Sequence, residues 1–365
     1  MPFTRTDMTN QTGSGYKANI DAATAALAGI YGKRRNVNGD GQVNQLVSAV
    51  AISNSWQYIL DMWELQSSTA NASGNFGQIS DSNFPAGVAI GTSSFSTSAA
   101  LNVSFRTKIE SKNIRDIASA AAFQYPVTNP THYFVSLSLL AYQDTGAAMN
   151  VTPSLRSADA ADNFSAMTNS VAGNALSLPS GAVTLLTWEG AANALQVDTL
   201  TNFANGVCLQ LDVACPNGIA NKNLRIGDVQ LEGGQVASLF GRASFADELE
   251  RCERYYAKTF ALGTAPAQNA GLVGSLFAQA TGSAAGQLST QWRFPAKMIK
   301  APAITTYNPG AANANWRDVS GSSDVVVSVD PDTAIGADAV VIGSQTTALT
   351  AGHRCYIHAV ADARL

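Results

Sequence analysis

Between roughly residues 52 and 240 the chain keeps returning to a period of two. In LNVSFRTKI, Leu101, Val103, Phe105 and Thr107 alternate with Asn102, Ser104, Arg106 and Lys108. Successive side chains of a strand point to opposite faces, so this alternation predicts strands with one buried face. THYFVSLSLLAY, VTLLTW and GVCLQLDVAC repeat the habit, with Gly, Pro, Asn and Asp clusters between them. No helical period interleaves with these runs, which argues against βαβ units. The pattern predicts an antiparallel β-sandwich or jelly roll over residues 55–243.

Composition excludes several partners. Only 13% of residues are charged and the formal net charge is -4, whereas a nucleic-acid binder needs a basic excess. No apolar run reaches the roughly 18 residues of a spanning helix, so no membrane insertion is expected. The opening MPFTRTDMTNQTGSGYKANI lacks a basic segment followed by an apolar core, and no secretory signal is read there. Cys208, Cys215, Cys252 and Cys355 show no CxxC spacing. They are expected to be free, buried thiols of a protein folded in a reducing cytoplasm.

Three segments break the β pattern. Ile20, Thr24, Leu27 and Tyr31 form one helical stripe, so residues 1–54 are expected to hold a helical docking or anchor segment. NVNGDGQVNQLV follows, with oxygens at Asn36, Asn38, Asp40 and Asn44 and a glycine, Gly41, for the turn. It resembles the calcium loop of dockerin modules, but Val47 stands where the last carboxylate belongs. A Gly/Asn turn between two short helices is the competing reading, and calcium is expected to be dispensable.

The third segment, SFADELERCERYYAKTF at residues 244–260, is expected to be a connecting helix. Ser244 can cap it, and Phe245, Leu249, Cys252 and Tyr256 fall on one face as a domain joint. Asp247 with Arg251 and Glu250 with Arg254 are placed to pair on the outside. Residues 261–365 return to strand alternation in QLSTQWRFPAKM, DVVVSVD and HRCYIHAVADARL, predicting a smaller C-terminal β domain.

The stretch RIGDVQLEGGQVASLFGRASFADELERCERYY, Arg225 to Tyr256, resembles a recurrent element of bacteriophage fibre and other virion-surface proteins. The matching residues are Val229 to Glu232, Gly234, Phe240, Glu248, Leu249, Cys252, Arg254, Tyr255 and Tyr256. QYILDMWEL is similar to the opening of that family's jelly roll, FPAKMIKAPAITTY to one of its strand pairs, and ADARL to its ending. The resemblance implies a virion structural protein, assembled in the host bacterial cytoplasm. It implies a homotrimer whose N-terminal segment docks onto head or tail proteins, with a carbohydrate-binding-like jelly roll facing host-surface polysaccharide. A decoration or adaptor protein without a ligand is the alternative.

Catalysis finds little footing. Asp61 and Glu64 flank Trp63 in DMWEL, a conceivable glycosidase pair beside an aromatic platform. His132, His353 and His358 are the three histidines, no serine lies in a GxSxG elbow, and no phosphate-loop pattern occurs. The expectation is a non-enzyme without cofactor or metal. Trp188, Trp292 and Trp316 are the aromatic candidates for stacking on sugar.

Overall fold

The computed structural model describes residues 34–114, 134–197, 200–282, 288–329, 336–344 and 349–365. The helix expected through Ile20, Thr24, Leu27 and Tyr31 lies outside these residues, as does His132. Two antiparallel sheets form the first domain. One runs in the order Val50–Ala51, Asn75–Ser80, Val88–Thr97, Lys222–Gly233, Phe134–Gln143, Thr184–Trp188. The other runs Asn169–Ala172, Met149–Ser157, Val207–Cys215, Leu101–Ile109, Trp63–Ser67, Gln57–Leu60. The chain crosses repeatedly between the two layers, as a sandwich requires.

The period of two does what the sequence led one to expect. Leu101, Val103 and Phe105 are buried while Asn102 is exposed, and one core takes side chains from both sheets. Phe76 meets Phe95 of its own sheet and Phe105 of the second sheet edge-to-face, with ring centres 5.9 and 6.1 Å away.

A second core organises the C-terminal domain around the strand Arg354–Asp362. That strand pairs with Tyr256–Lys258, Leu276–Gln279, Ala303–Tyr307 and Trp316–Asp318, every pair antiparallel. Ser289–Arg293, Ala339–Ser344 and Val327–Val329 form a small adjoining sheet. Trp316, Trp292, Ile342 and Ile357 lie in this core.

The connecting helix spans Phe245–Glu253, shorter than residues 244–260. Ser244 caps it, its hydroxyl accepting the Asp247 amide at 3.2 Å, as expected. Tyr256 already belongs to the distal sheet. Residues 36–47 are turns, as the Gly/Asn reading has it; the strand Val50–Ala51 follows where its second short helix was expected, and its first helix falls outside the described residues. Asn36 and Asn38 are buried there, so this stretch is part of the folded body, not a detachable anchor.

Candidate functional site

The joint between the domains has its own small core. Val37 and Val43 from the N-terminal stretch, Met62 from the sandwich, and Cys252 and Tyr255 from the helix segment pack together. Leu249, Ile299 and Leu365 cover it.

A bulge makes room for the N-terminal stretch. The pairing of Lys222–Gly233 with its neighbour shifts register between Gly227 and Gln230, and Asp228 takes a positive φ of 47°. The backbone of Val229 then turns to residues 36–39 instead of a strand. Asn36 Nδ2 donates to the Val229 carbonyl at 2.8 Å, and its Oδ1 accepts the Leu231 amide at 3.1 Å. Gly39 must be glycine, because a side chain there would run into the Val229 carbonyl.

Asn38 ties the next turn. Its Nδ2 donates to the carbonyls of Val43 at 2.8 Å and Asp61 at 2.9 Å, and its Oδ1 accepts the Val43 amide at 3.0 Å. Trp63 Nε1 donates to the Asn38 carbonyl at 2.8 Å. Asp40 accepts from its neighbour Gln42 at 2.6 Å, and Asn44 accepts the Val47 amide at 2.9 Å. The four residues of the calcium reading thus hold separate protein partners.

The helix presents a different face from the expected one. Glu248, Cys252 and Tyr255 are buried at 1% exposure each, Leu249 is half-buried, and Phe245 is 41% exposed. The stripe 248–252–255 is therefore the one that packs most deeply; it shares Cys252 with the expected stripe and is centred about 60° away from it around the helix axis. Phe245 is thereby corrected from joint to surface, while Leu249, Cys252 and Tyr256 remain contacts of the joint or the distal sheet.

Burial of Glu248 is compensated by charge. Its carboxylate pairs with Arg34 and accepts the Asn38 amide, and the Arg34 side chain is itself only 3% exposed. Arg251 stands 3.8 Å from Glu248, one turn on, in place of the expected pair with Asp247. Arg254 likewise leaves Glu250 and reaches Glu110 of the sandwich at 3.0 Å, binding helix to sandwich. Asp61, also buried, accepts the Gln45 amide at 2.6 Å and Gln45 Nε2 at 2.9 Å. Burial pushes its carboxyl up to about 6.

An open cleft of about 760 Å³ runs along this joint. Arg34, Arg35, Lys112, Arg242, Arg251 and Arg254 line it, in a chain whose net charge is -4. Glu110, Glu248 and Asp228 are the carboxylates paired to these cations.

The aromatic candidates resolve differently. Trp188 and Trp316 are fully buried, with Nε1 donating to the carbonyls of Asn174 at 2.7 Å and Gly343 at 2.8 Å. Trp292 is 7% exposed and packs edge-to-face on Phe294. All three are core residues with no ring face open to a sugar. Trp63 is buried as well, and Trp56 is half-buried with the Arg106 guanidinium 3.8 Å over its ring. Open aromatic surface occurs in the distal domain instead, at Phe277, 49% exposed and 5.4 Å from the Tyr356 ring.

Asp61 and Glu64 do not face one cleft as a catalytic pair would. Glu64 is held by Arg106 at 2.6 Å and Lys108 at 3.2 Å, while Asp61 turns to Gln45. His353 meets Asp318 at 2.6 Å, and His358 is buried between Thr259 and the Gly271 carbonyl, so the two histidines share no site.

Compared with known proteins, the chain matches no family model and no curated protein. Several solved structures align with it. TmCBM61, solved with β-1,4-galactotriose, aligns at 9% identity over 55% of this chain and 99% of its own, with a TM-score of 0.29. A family 11 carbohydrate-binding module from Clostridium thermocellum, in complex with a β-1,3-1,4-mixed-linked tetrasaccharide, aligns at 10% identity over 52% and 100%, TM-score 0.30. The arabinose-bound α-L-arabinofuranosidase MgGH51 aligns at 12% identity over 60% of this chain and 30% of that one, TM-score 0.30. The two-layer sandwich follows from the strand pairing itself.

Proposed function

We propose that this chain is a structural protein of a bacteriophage particle, a homotrimeric fibre that contributes to recognition of host-surface glycan and performs no catalysis. The observation that carries the reading is the Arg225–Tyr256 block. It resembles the joint of virion fibres, and it folds here as a joint, running from a sandwich strand through a short helix into the distal sheet. Buried ion pairs across that joint suit a stiff extension that must transmit position from particle to host surface. Residues before Arg34 are the proposed docking segment on head or tail proteins. For a neutral sugar, Phe277 with Tyr356 offers the exposed ring face that the core tryptophans do not.

The test is a cryo-EM reconstruction of particles carrying the chain. Threefold density that accommodates the two β domains, with the N-terminal end against the particle, supports the reading. Density for the chain without threefold symmetry, or with its N-terminal end away from the particle, overturns it.

A further inference from the structure

One row of side chains crosses the outer face of the distal sheet. Strand register sets Phe277 beside Tyr356, Tyr356 beside Arg317, and Arg317 beside Asp324, over four neighbouring strands. Their chain neighbours Ala278, Cys355, Trp316 and Val325 are buried in the distal core, so the row faces outward. Three strand spacings of about 4.8 Å make it about 14 Å long.

The aromatic half is open. Phe277 is 49% exposed, with its ring centre 5.4 Å from that of Tyr356. A single exposed phenylalanine needs no explanation on its own. The polar half of the row supplies one.

Asp324 is held in place by three side chains. Its Oδ1 accepts Asn308 Nδ2 at 2.8 Å and Arg317 Nη1 at 3.3 Å, and its Oδ2 accepts Asn313 Nδ2 at 2.8 Å. Asn308 is fully buried and also donates to Asn313 Oδ1 at 2.9 Å. Gly310 of the same loop leaves room for the Arg317 side chain, which a Cβ there would meet at 3.1 Å. Yet Arg317 and Asp324 remain 27% and 24% exposed. A guanidinium and a carboxylate are thus fixed and still open to solvent, beside an open aromatic pair. Each meets the other's charge, so the row offers no net charge to an ionic ligand.

We infer that this row is a binding surface for a neutral oligosaccharide. A sugar ring has a C–H face that packs on an aromatic ring, and hydroxyls that both donate and accept. One unit stacks on Phe277 and Tyr356. A neighbouring unit places adjacent hydroxyls on the Arg317 guanidinium, which donates, and on the Asp324 carboxylate, which accepts. Because the loop already fixes both groups, little ordering cost is left for binding. The length of the row suits a short oligosaccharide better than a single sugar. The inference rests on the glycan-recognition reading above and deepens it, giving the ligand's hydroxyls their partners and its class as uncharged.

The full chain is screened against an immobilised panel of single sugars and short oligomers, neutral and acidic, and the tightest binder is titrated calorimetrically. The wild type is expected to bind a neutral oligomer more tightly than its single sugar, with affinity nearly independent of salt. Phe277→Ala should weaken it about tenfold and Arg317→Gln about tenfold or more. Leu185→Ala, at an exposed apolar position on the sandwich, should change nothing. Circular dichroism checks that each variant folds.

Binding that persists unchanged in both Phe277→Ala and Arg317→Gln would overturn this site while leaving glycan recognition standing elsewhere on the chain. A preference for acidic oligomers that falls steeply with salt would overturn the neutral assignment. No binding to any member of the panel would overturn the glycan-recognition reading, and this inference with it.

Discussion

Replacing Glu248 with Ala should destabilise the protein by about 3–5 kcal/mol. The magnitude follows from what the carboxylate holds. It is 1% exposed, it neutralises an Arg34 side chain that is 3% exposed, and it accepts the Asn38 amide. Truncation leaves a buried cation without its partner and a buried N–H without its acceptor. These two costs overlap, so they are not summed. Glu248→Gln keeps an oxygen for the Asn38 amide but loses the charge, and should cost less, about 1–3 kcal/mol. Removing both ends together, Arg34→Met with Glu248→Met, should cost less than Glu248→Ala alone, since no stranded charge remains. The measurement is urea unfolding followed by tryptophan fluorescence and by far-UV dichroism, with two probes because two cores need not unfold in one step. A Glu248→Ala cost below about 1 kcal/mol, or one no larger than that of a surface substitution, would refute the claim that this acid organises the joint.

Three further outcomes are expected. Leu249→Ala should cost about 1–2 kcal/mol, below the usual range for a full core leucine because Leu249 is half-buried, and exposed Glu250→Ala less than about 0.5 kcal/mol; equal effects in unfolding assays would contradict the packed helix face. Because Asp61 has a folded-state pKa raised to about 6 against an unfolded value near 3.8, its contribution is fully present below about pH 4 and is lost as pH rises through 6. Stability should therefore drop by up to about 3 kcal/mol across that window and do so less in Asp61→Asn, which a pH series of melting curves checks. Finally, a chain beginning at Arg34 should melt like the full chain, whereas one beginning at residue 48 loses Asn36, Asn38 and Gln45 from their buried bonds and should be less stable by more than about 3 kcal/mol; equal melting of the two would show that residues 34–47 are not part of the body.

The sandwich was legible because a half-buried strand writes its geometry directly into alternating residues, as Leu101, Val103 and Phe105 do. The helix was legible in its cap and position but not in its orientation. A glutamate on an amphipathic helix reads as an outward residue, and Glu248 turns inward only because Arg34 arrives from 214 positions earlier. Long-range charge pairing leaves no local periodicity. The same is true of Arg254, which has Glu250 at the right spacing yet binds Glu110, 144 residues away. Asn36 and Asn38 looked like ligands because a metal loop and a buried turn both ask for side-chain oxygens near a glycine. The bulge at Asp228, which gives Asn36 its backbone partners, has no counterpart within the Asn-rich stretch. Tryptophans at strand positions satisfy core and platform equally, and only the second sheet decides between them.

If the joint holds the two β domains as one stiff body, the distance between them is fixed, and measuring that distance is the direct test. Cys208, Cys215, Cys252 and Cys355 are buried, and burial pushes the thiols of Cys208 and Cys355 up to about 11 and that of Cys215 to about 12, so engineered surface cysteines can be labelled selectively. Spin labels at Ala100→Cys in the sandwich and Ala351→Cys in the distal domain, both exposed, report the separation by pulsed dipolar spectroscopy. In diluted mixtures with unlabelled chain, a stiff joint gives a single narrow distance distribution that broadens in the Glu248→Ala variant. A broad distribution in the wild type, unchanged by Glu248→Ala, would contradict it.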